Sequence, residues 1–162
     1  MASNVSESIF YHVTSFSRHN PPLVVGKVMQ VGNEPNDFWR RMELQPDFVD
    51  PWVLKRELAM ETIRSNVCSN AVSRRRCLWV CETKEFAEER LKTLRASDSV
   101  TCQLQCTGRI HRADAGLVPV RSDTLPEAER KMREYWRGVS LGSLGSEILF
   151  EGTATVVGLH NG

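Results

Sequence analysis

Apolar and polar positions alternate most cleanly over residues 100–107. Val100, Cys102, Leu104 and Cys106 share one face and Thr101, Gln103, Gln105 and Thr107 the other, which predicts a strand with one wet side. The unbroken apolar run Cys77-Leu78-Trp79-Val80-Cys81 predicts a buried central strand. Further strands are expected at 9–14, at 23–31 with a break at Gly26, and as a closing pair at 147–150 and 153–159.

Between these segments the period lengthens to that of a helix. Asp50 before Pro51 has the form of an N-cap followed by proline in the first turn. Leu54, Leu58, Glu61 and Val67, against Trp52, Ala59 and Ile63, then predict a helix of about four turns. A second helix is expected over 84–95, with Ala87, Leu91 and Leu94 on one face. Thr124 and Glu127 have capping-box spacing, and Ala128, Met132, Tyr135 and Trp136 form one face of a third helix. Residues 33–50 read as a polar, proline-containing loop and 138–146 as a small, glycine-rich, flexible segment. The strands follow one another too closely for a doubly wound parallel sheet. The expected fold class is α+β: a split mixed, mostly antiparallel β-sheet sandwich with three helices, forming one domain over 1–162 with its core at about 9–159.

A chain of 162 residues with 41% hydrophobic and 25% charged positions can bury its own core. The formal net charge of +1 exerts no global pull toward nucleic acid or membranes, so such partners would need a local patch. The first eight residues lack the basic and apolar regions of a secretory signal, and no apolar run reaches the ~20 residues of a membrane span. A cytoplasmic monomer is expected, although an injected effector also lacks a classical signal. The five cysteines include the C-x3-C pairs Cys77/Cys81 and Cys102/Cys106. On a strand, residues four apart are separated by about 13 Å, too far to share a zinc ion, so buried free thiols are expected and no metal.

Common catalytic signatures are missing. Gly26-Lys27 is followed by Val28 and not by Ser or Thr, and the glycines at 138, 142 and 145 do not form a dinucleotide-binding fingerprint. The histidines at 12, 19, 111 and 160 show no metal-ligand pairing. What stands out is Phe10-Tyr11-His12-Val13-Thr14, where His12 and Thr14 share one strand face.

That segment resembles the first motif of the histidine-tyrosine-glutamate class of ADP-ribosyltransferases, which includes diphtheria-type toxins, poly(ADP-ribose) polymerases and rifampin ADP-ribosyltransferases. Leu78-Trp79-Val80-Cys81 leading into Phe86-Ala87-Glu88 is similar in layout to the second motif, with Trp79 in place of the usual tyrosine. Ser146-Glu147-Ile148-Leu149-Phe150 resembles the third, an acidic residue opening a late strand after a loop. The resemblance implies NAD as co-substrate, His12 and Thr14 on its ribose, Trp79 against nicotinamide, and Glu147 at the reacting carbon. An indole can stack on nicotinamide but lacks a phenol's acceptor capacity. Breaking the nicotinamide–ribose bond builds an oxocarbenium-like centre that a carboxylate stabilises. A glutamate at the mouth of a strand is expected to expose its head. Asp114 and Glu151 are rival acids. The run Arg74-Arg75-Arg76 is a candidate for the pyrophosphate, with Arg76 as the assigned contact, because guanidinium groups chelate phosphate oxygens; a nucleic-acid patch and a solvated loop are the other readings of the run. The acceptor stays open among protein, nucleic acid and small molecule. A non-catalytic module binding NAD, ADP-ribose or a protein on the same scaffold is the alternative, and a 2′-phosphotransferase is disfavoured because no second histidine adjoins His12.

Overall fold

The computed structural model describes residues 2–15, 23–94, 98–142 and 145–161. Of the Ser/Asn/Pro turn expected over 15–22, residues 16–22 lie outside the described residues, as do the end of the helix expected to reach 95 and the centre of the glycine-rich segment. The strands are β1 (Ala2–Ser15), β2 (Val28–Val31), β3 (Leu78–Val80), β4 (Ser99–Asp114) and β5 (Ser146–Asn161). The helices are α1 (Asp37–Leu44), α2 (Pro51–Val67), α3 (Lys84–Leu94) and α4 (Leu125–Trp136), with single 3-10 turns at Pro46–Phe48 and Ala115–Leu117. The fold is α+β. The expected three helices become four, because α1 forms inside the segment read as a loop.

All ladders among the described residues are antiparallel and belong to one five-stranded sheet, in place of the expected split and mixed arrangement. The order is β1-β4-β5-β2, and β3 lies beside β2 on the same edge of β5. The two closing strands expected from the sequence are the single strand β5, paired with β4 from Asp114↔Ser146 to Val100↔Asn161. The sheet curls until its opposite edges meet: Tyr11 and Cys81 exchange two backbone hydrogen bonds of 2.9 and 2.7 Å, joining β1 to the end of β3.

Strand alternation then sorts the core into two clusters. Ile148 and Phe150 join Val100, Cys102, Leu104, Cys106 and Ala154 on the face away from α2 and α4. Leu149 points the other way, into Met60, Val72, Leu117, Met132, Tyr135 and Trp136, which α2 and the segment after it, the 3-10 turn before α4, and α4 itself supply. Glu147, two residues before Leu149, shares that helix-covered side. The capping box of α4 is present, with Thr124 N donating to Glu127 at 2.8 Å and Glu127 N to Thr124 Oγ1 at 3.4 Å. Its buried face carries Trp136, whose indole N–H is satisfied by the Met60 carbonyl at 2.7 Å. On α2 the buried positions are Glu57 and Met60, whereas Leu58, assigned to the inner face from the sequence, is half exposed. All five cysteines are free thiols and four of them are buried. No helix among the described residues is long and apolar enough to cross a membrane.

Gly108 and Gly152 face each other across β4 and β5. A Cβ on Gly152 would stand 2.3 Å from the Thr107 carbonyl oxygen, and its φ of +133° disfavours any L side chain. Gly152→Ala is expected to lower the unfolding free energy by about 2–5 kcal/mol through strain and overpacking together. Gly26→Ala, at φ +94° but in open space, is expected to lower it by about 1 kcal/mol. Equal denaturant midpoints for the two variants would contradict this account.

Candidate functional site

A cleft of about 310 Å³ opens between β1, the end of β2, α1 and β3. His12, Thr14, Phe38, Arg40, Arg76 and Trp79 are among its lining residues. Four of the five side chains assigned from the sequence therefore share one cleft. Glu147 is not among its lining residues. The volume is at the lower end of small-molecule sites, which run from about 300 to 1,000 Å³.

Trp79 joins this cleft to the interior. Its carbonyl oxygen lies 2.8 Å from His12 Nδ1, and because a carbonyl only accepts, the ring proton sits on Nδ1. Its ring meets Phe38 edge-on at 5.9 Å. Its indole Nε1–H donates to Glu147 Oε1 at 3.0 Å.

The expectation of an exposed Glu147 head is corrected: the residue is 6% exposed, because α4 and the arginine segment cover the start of β5. Glu147 Oε1 also accepts from the Tyr135 hydroxyl at 2.6 Å and from Arg74 Nη1. Burial pushes the Glu147 carboxyl up, but the Arg74 charge and the hydrogen bonds from Tyr135 and Trp79 outweigh it and hold the group below its ordinary value. Burial likewise disfavours the Arg74 charge, and Tyr135, Glu147 and Glu57 overcome it, leaving the guanidinium firmly protonated. Arg74 Nε and Nη2 fork onto Glu57 at 2.9 and 3.2 Å, and Glu57 is fully buried.

The three consecutive arginines diverge. Arg74 enters the core, Arg75 lies over Trp39 at 5.3 Å and bonds Glu43 at 2.8 Å, and Arg76 lines the cleft. Asn36 holds them in place: its amide donates to the carbonyls of Arg74 and Cys77 at 2.8 and 3.0 Å, while its Oδ1 caps α1 by accepting from Trp39 N at 3.0 Å. The rival acids have other partners. Asp114 accepts from the backbone of Gly116 at 2.9 Å and Leu141 at 2.7 Å, and Glu151 is paired with Arg109. Among the described residues no group of three or more His, Cys, Asp or Glu is arranged to hold a metal.

Residues 47–161 match the family model described as "Protein of unknown function (DUF2441)". The chain belongs to the DUF2441 family. The search of curated proteins returns no match. The DUF2441 match takes in Glu57, Arg74, Trp79, Tyr135 and Glu147, and leaves out β1, which carries His12 and Thr14.

In this DUF2441 chain, sequence reasoning missed Glu57 and Tyr135 as partners of the Arg74–Glu147 cluster, and it read Arg74 only as part of an arginine run for phosphate or solvent. The available signal was a carboxylate on the same stripe of α2 as Met60, and a hydroxyl inside the apolar face of α4. His111 was also passed over. It is fully buried on β4, its ring centroid 5.4 Å from Trp136, its Nε2 3.4 Å from the Tyr135 carbonyl, and its Nδ1 without a hydrogen-bond partner among the described residues. Burial lowers its pKa from 6.5 to about 4. The folded state therefore resists a proton that the unfolded chain accepts. Stability is whole above pH 6.5 and falls as the pH drops toward about 4, by up to about 3 kcal/mol. His111→Phe is expected to flatten the pH dependence of the urea midpoint across that window, and an unchanged slope would show that His111 does not set it.

Proposed function

We propose that this chain is an ADP-ribosyltransferase-like domain that takes NAD into the cleft and transfers its ADP-ribose. The observation that carries the reading is the convergence of His12, Thr14, Arg76 and Trp79 on one cleft, with the Trp79 indole hydrogen-bonded to Glu147. Imidazole and hydroxyl groups suit the alternating donors and acceptors of a ribose, and Arg76 with Arg40 offers cationic charge to a pyrophosphate. The Trp79 indole, which lines the cleft, offers a π surface suited to nicotinamide. An ionised Glu147 is the negative group that the oxocarbenium-like centre needs. To touch the ribose, Glu147 must exchange its bond to Trp79 for one to the substrate, so the reading requires the indole to move on binding. The antiparallel α+β architecture is taken, in the same reading, as an ADP-ribosyltransferase-like scaffold. The acceptor is left to experiment.

The saturation of Glu147 Oε1 by three donors favours a second reading, a non-catalytic module that holds NAD or ADP-ribose in the same cleft. The two readings share binding and differ in bond cleavage. NAD added to the purified chain is expected to bind, to release nicotinamide and, in a cell lysate, to label one class of acceptor. Glu147→Gln is expected to cut nicotinamide release by about 10²–10³-fold while NAD affinity stays within a few fold. Arg76→Ala is expected to weaken NAD binding with little effect on unfolding, since its side chain is exposed. Binding without nicotinamide release selects the second reading, and a cleft that takes up neither NAD nor ADP-ribose defeats both.

A further inference from the structure

We propose that Arg74 is the positioning residue of this site: anchored by Glu57, it places its guanidinium against the Glu147 carboxylate and keeps that group aimed at the indole N–H of Trp79. The inference deepens the ADP-ribosyltransferase reading and rests on it for the effect on rate.

The geometry engages all three nitrogens of the guanidinium. Nε and Nη2 lie in one plane against the two oxygens of Glu57, at 2.9 and 3.2 Å, which fixes the orientation of the group. Nη1 is thereby turned toward the Tyr135 hydroxyl oxygen, at 2.7 Å, and Glu147 Oε1. The Tyr135 hydroxyl accepts from Arg74 and passes its own proton toward Glu147 at 2.6 Å, closing a triangle. A lysine ammonium carries its donors on one atom and cannot span both carboxylates. The backbone is fixed as well: Arg74 N donates to Glu61 Oε1 at 3.0 Å and Arg74 O accepts from Asn36.

Glu147 is faced from every packed element. Tyr135 comes from α4, Trp79 from β3, His111 from β4, the Cys77 thiol from the segment before β3, and Glu57 and Glu61 of α2 lie behind Arg74; Arg90 of α3 acts on it from farther away. His111 is neutral and Tyr135 and Cys77 keep their protons, so Arg74 is the dominant cation acting on Glu147.

The test follows the Glu147 side-chain carboxyl ¹³C and the Trp79 indole N–H resonances of the full chain against pH, alongside nicotinamide release from NAD. In the native protein both resonances are expected to move together, below pH 4.5. In Arg74→Gln the common midpoint is expected to rise by about 1–3 pH units, as for a carboxylate that loses an adjacent cation. In Arg74→Lys, which keeps the charge and loses the fork, the midpoint is expected to rise less, while kcat for nicotinamide release falls by about 10²-fold with KM little changed. If Arg74→Gln does not fold, the native protein and Arg74→Lys decide. Midpoint and kcat both unmoved in Arg74→Lys, or indole and carboxyl resonances that titrate independently in the native protein, overturn the proposal. The resonance measurements need no nucleotide. The expected midpoints in a protein that never releases nicotinamide would support the hold of Arg74 on Glu147 and refute the transferase reading.

Discussion

A guanidinium withdrawn from water must be met by negative charge and by acceptors for its N–H groups, or the fold that buries it is lost. At Arg74 those demands are met from three directions: α2 supplies Glu57, β5 supplies Glu147 and α4 supplies Tyr135. Its backbone is held by Glu61 of α2, which accepts from its N–H, and by Asn36 of the turn before α1, which donates to its carbonyl. The helical layer and the sheet are therefore connected by polar bonds as well as by the apolar cluster around Met60, Leu149 and Trp136. Buried ion pairs often add little net stability over apolar packing, yet each admits few geometries. What this one contributes is placement. It sets where α2 and α4 lie on the sheet, and it holds the start of β5 beneath them.

Elements whose cause is local were legible in the sequence. β4 announces itself through Val100, Cys102, Leu104 and Cys106, which do face one core cluster. α4 follows from Thr124 and Glu127, and α2 from Asp50, whose side chain accepts from Trp52 N at 3.0 Å. Elements whose cause is distant were not. α1 has only eight residues and is secured by Asn36 and by the Arg75, Trp39 and Glu43 cluster, which join it to a segment some forty positions along the chain. β5 looked like two strands because Gly152 interrupts its apolar pattern. Gly152 is there because it meets Gly108 of β4, and one strand alone does not reveal that contact.

The site divides in the same way. His12, Thr14 and Trp79 were singled out from short local segments, and the curl that pairs Tyr11 with Cys81 brings them to one cleft with Arg76. The environment of Glu147 was not recognisable, since its partners come from positions 74, 79 and 135 and each looks ordinary in its own segment. Arg74, Arg75 and Arg76 are indistinguishable as letters; only the folded backbone, held by Asn36, separates a core cation from a surface clamp and a cleft-lining one. The DUF2441 match spans this buried cluster and omits β1.

The electrostatics of the cluster bear on what Glu147 can do. A carboxylate stabilises nearby positive charge most strongly where water is excluded, because the effective dielectric is low. The same exclusion drives the carboxyl toward its neutral form unless a cation is close by. Arg74 supplies that cation, but a simple pair of opposite charges would cancel the field offered to a substrate. Glu57 does not tip that balance, because Arg56 bonds it at 2.9 Å and the two carboxylates then face two guanidiniums. The arrangement thus keeps Glu147 ionised and turned toward the Trp79 N–H. That carboxylate is useful to an oxocarbenium-like centre if the indole moves aside, and it serves only to fasten the indole if it does not.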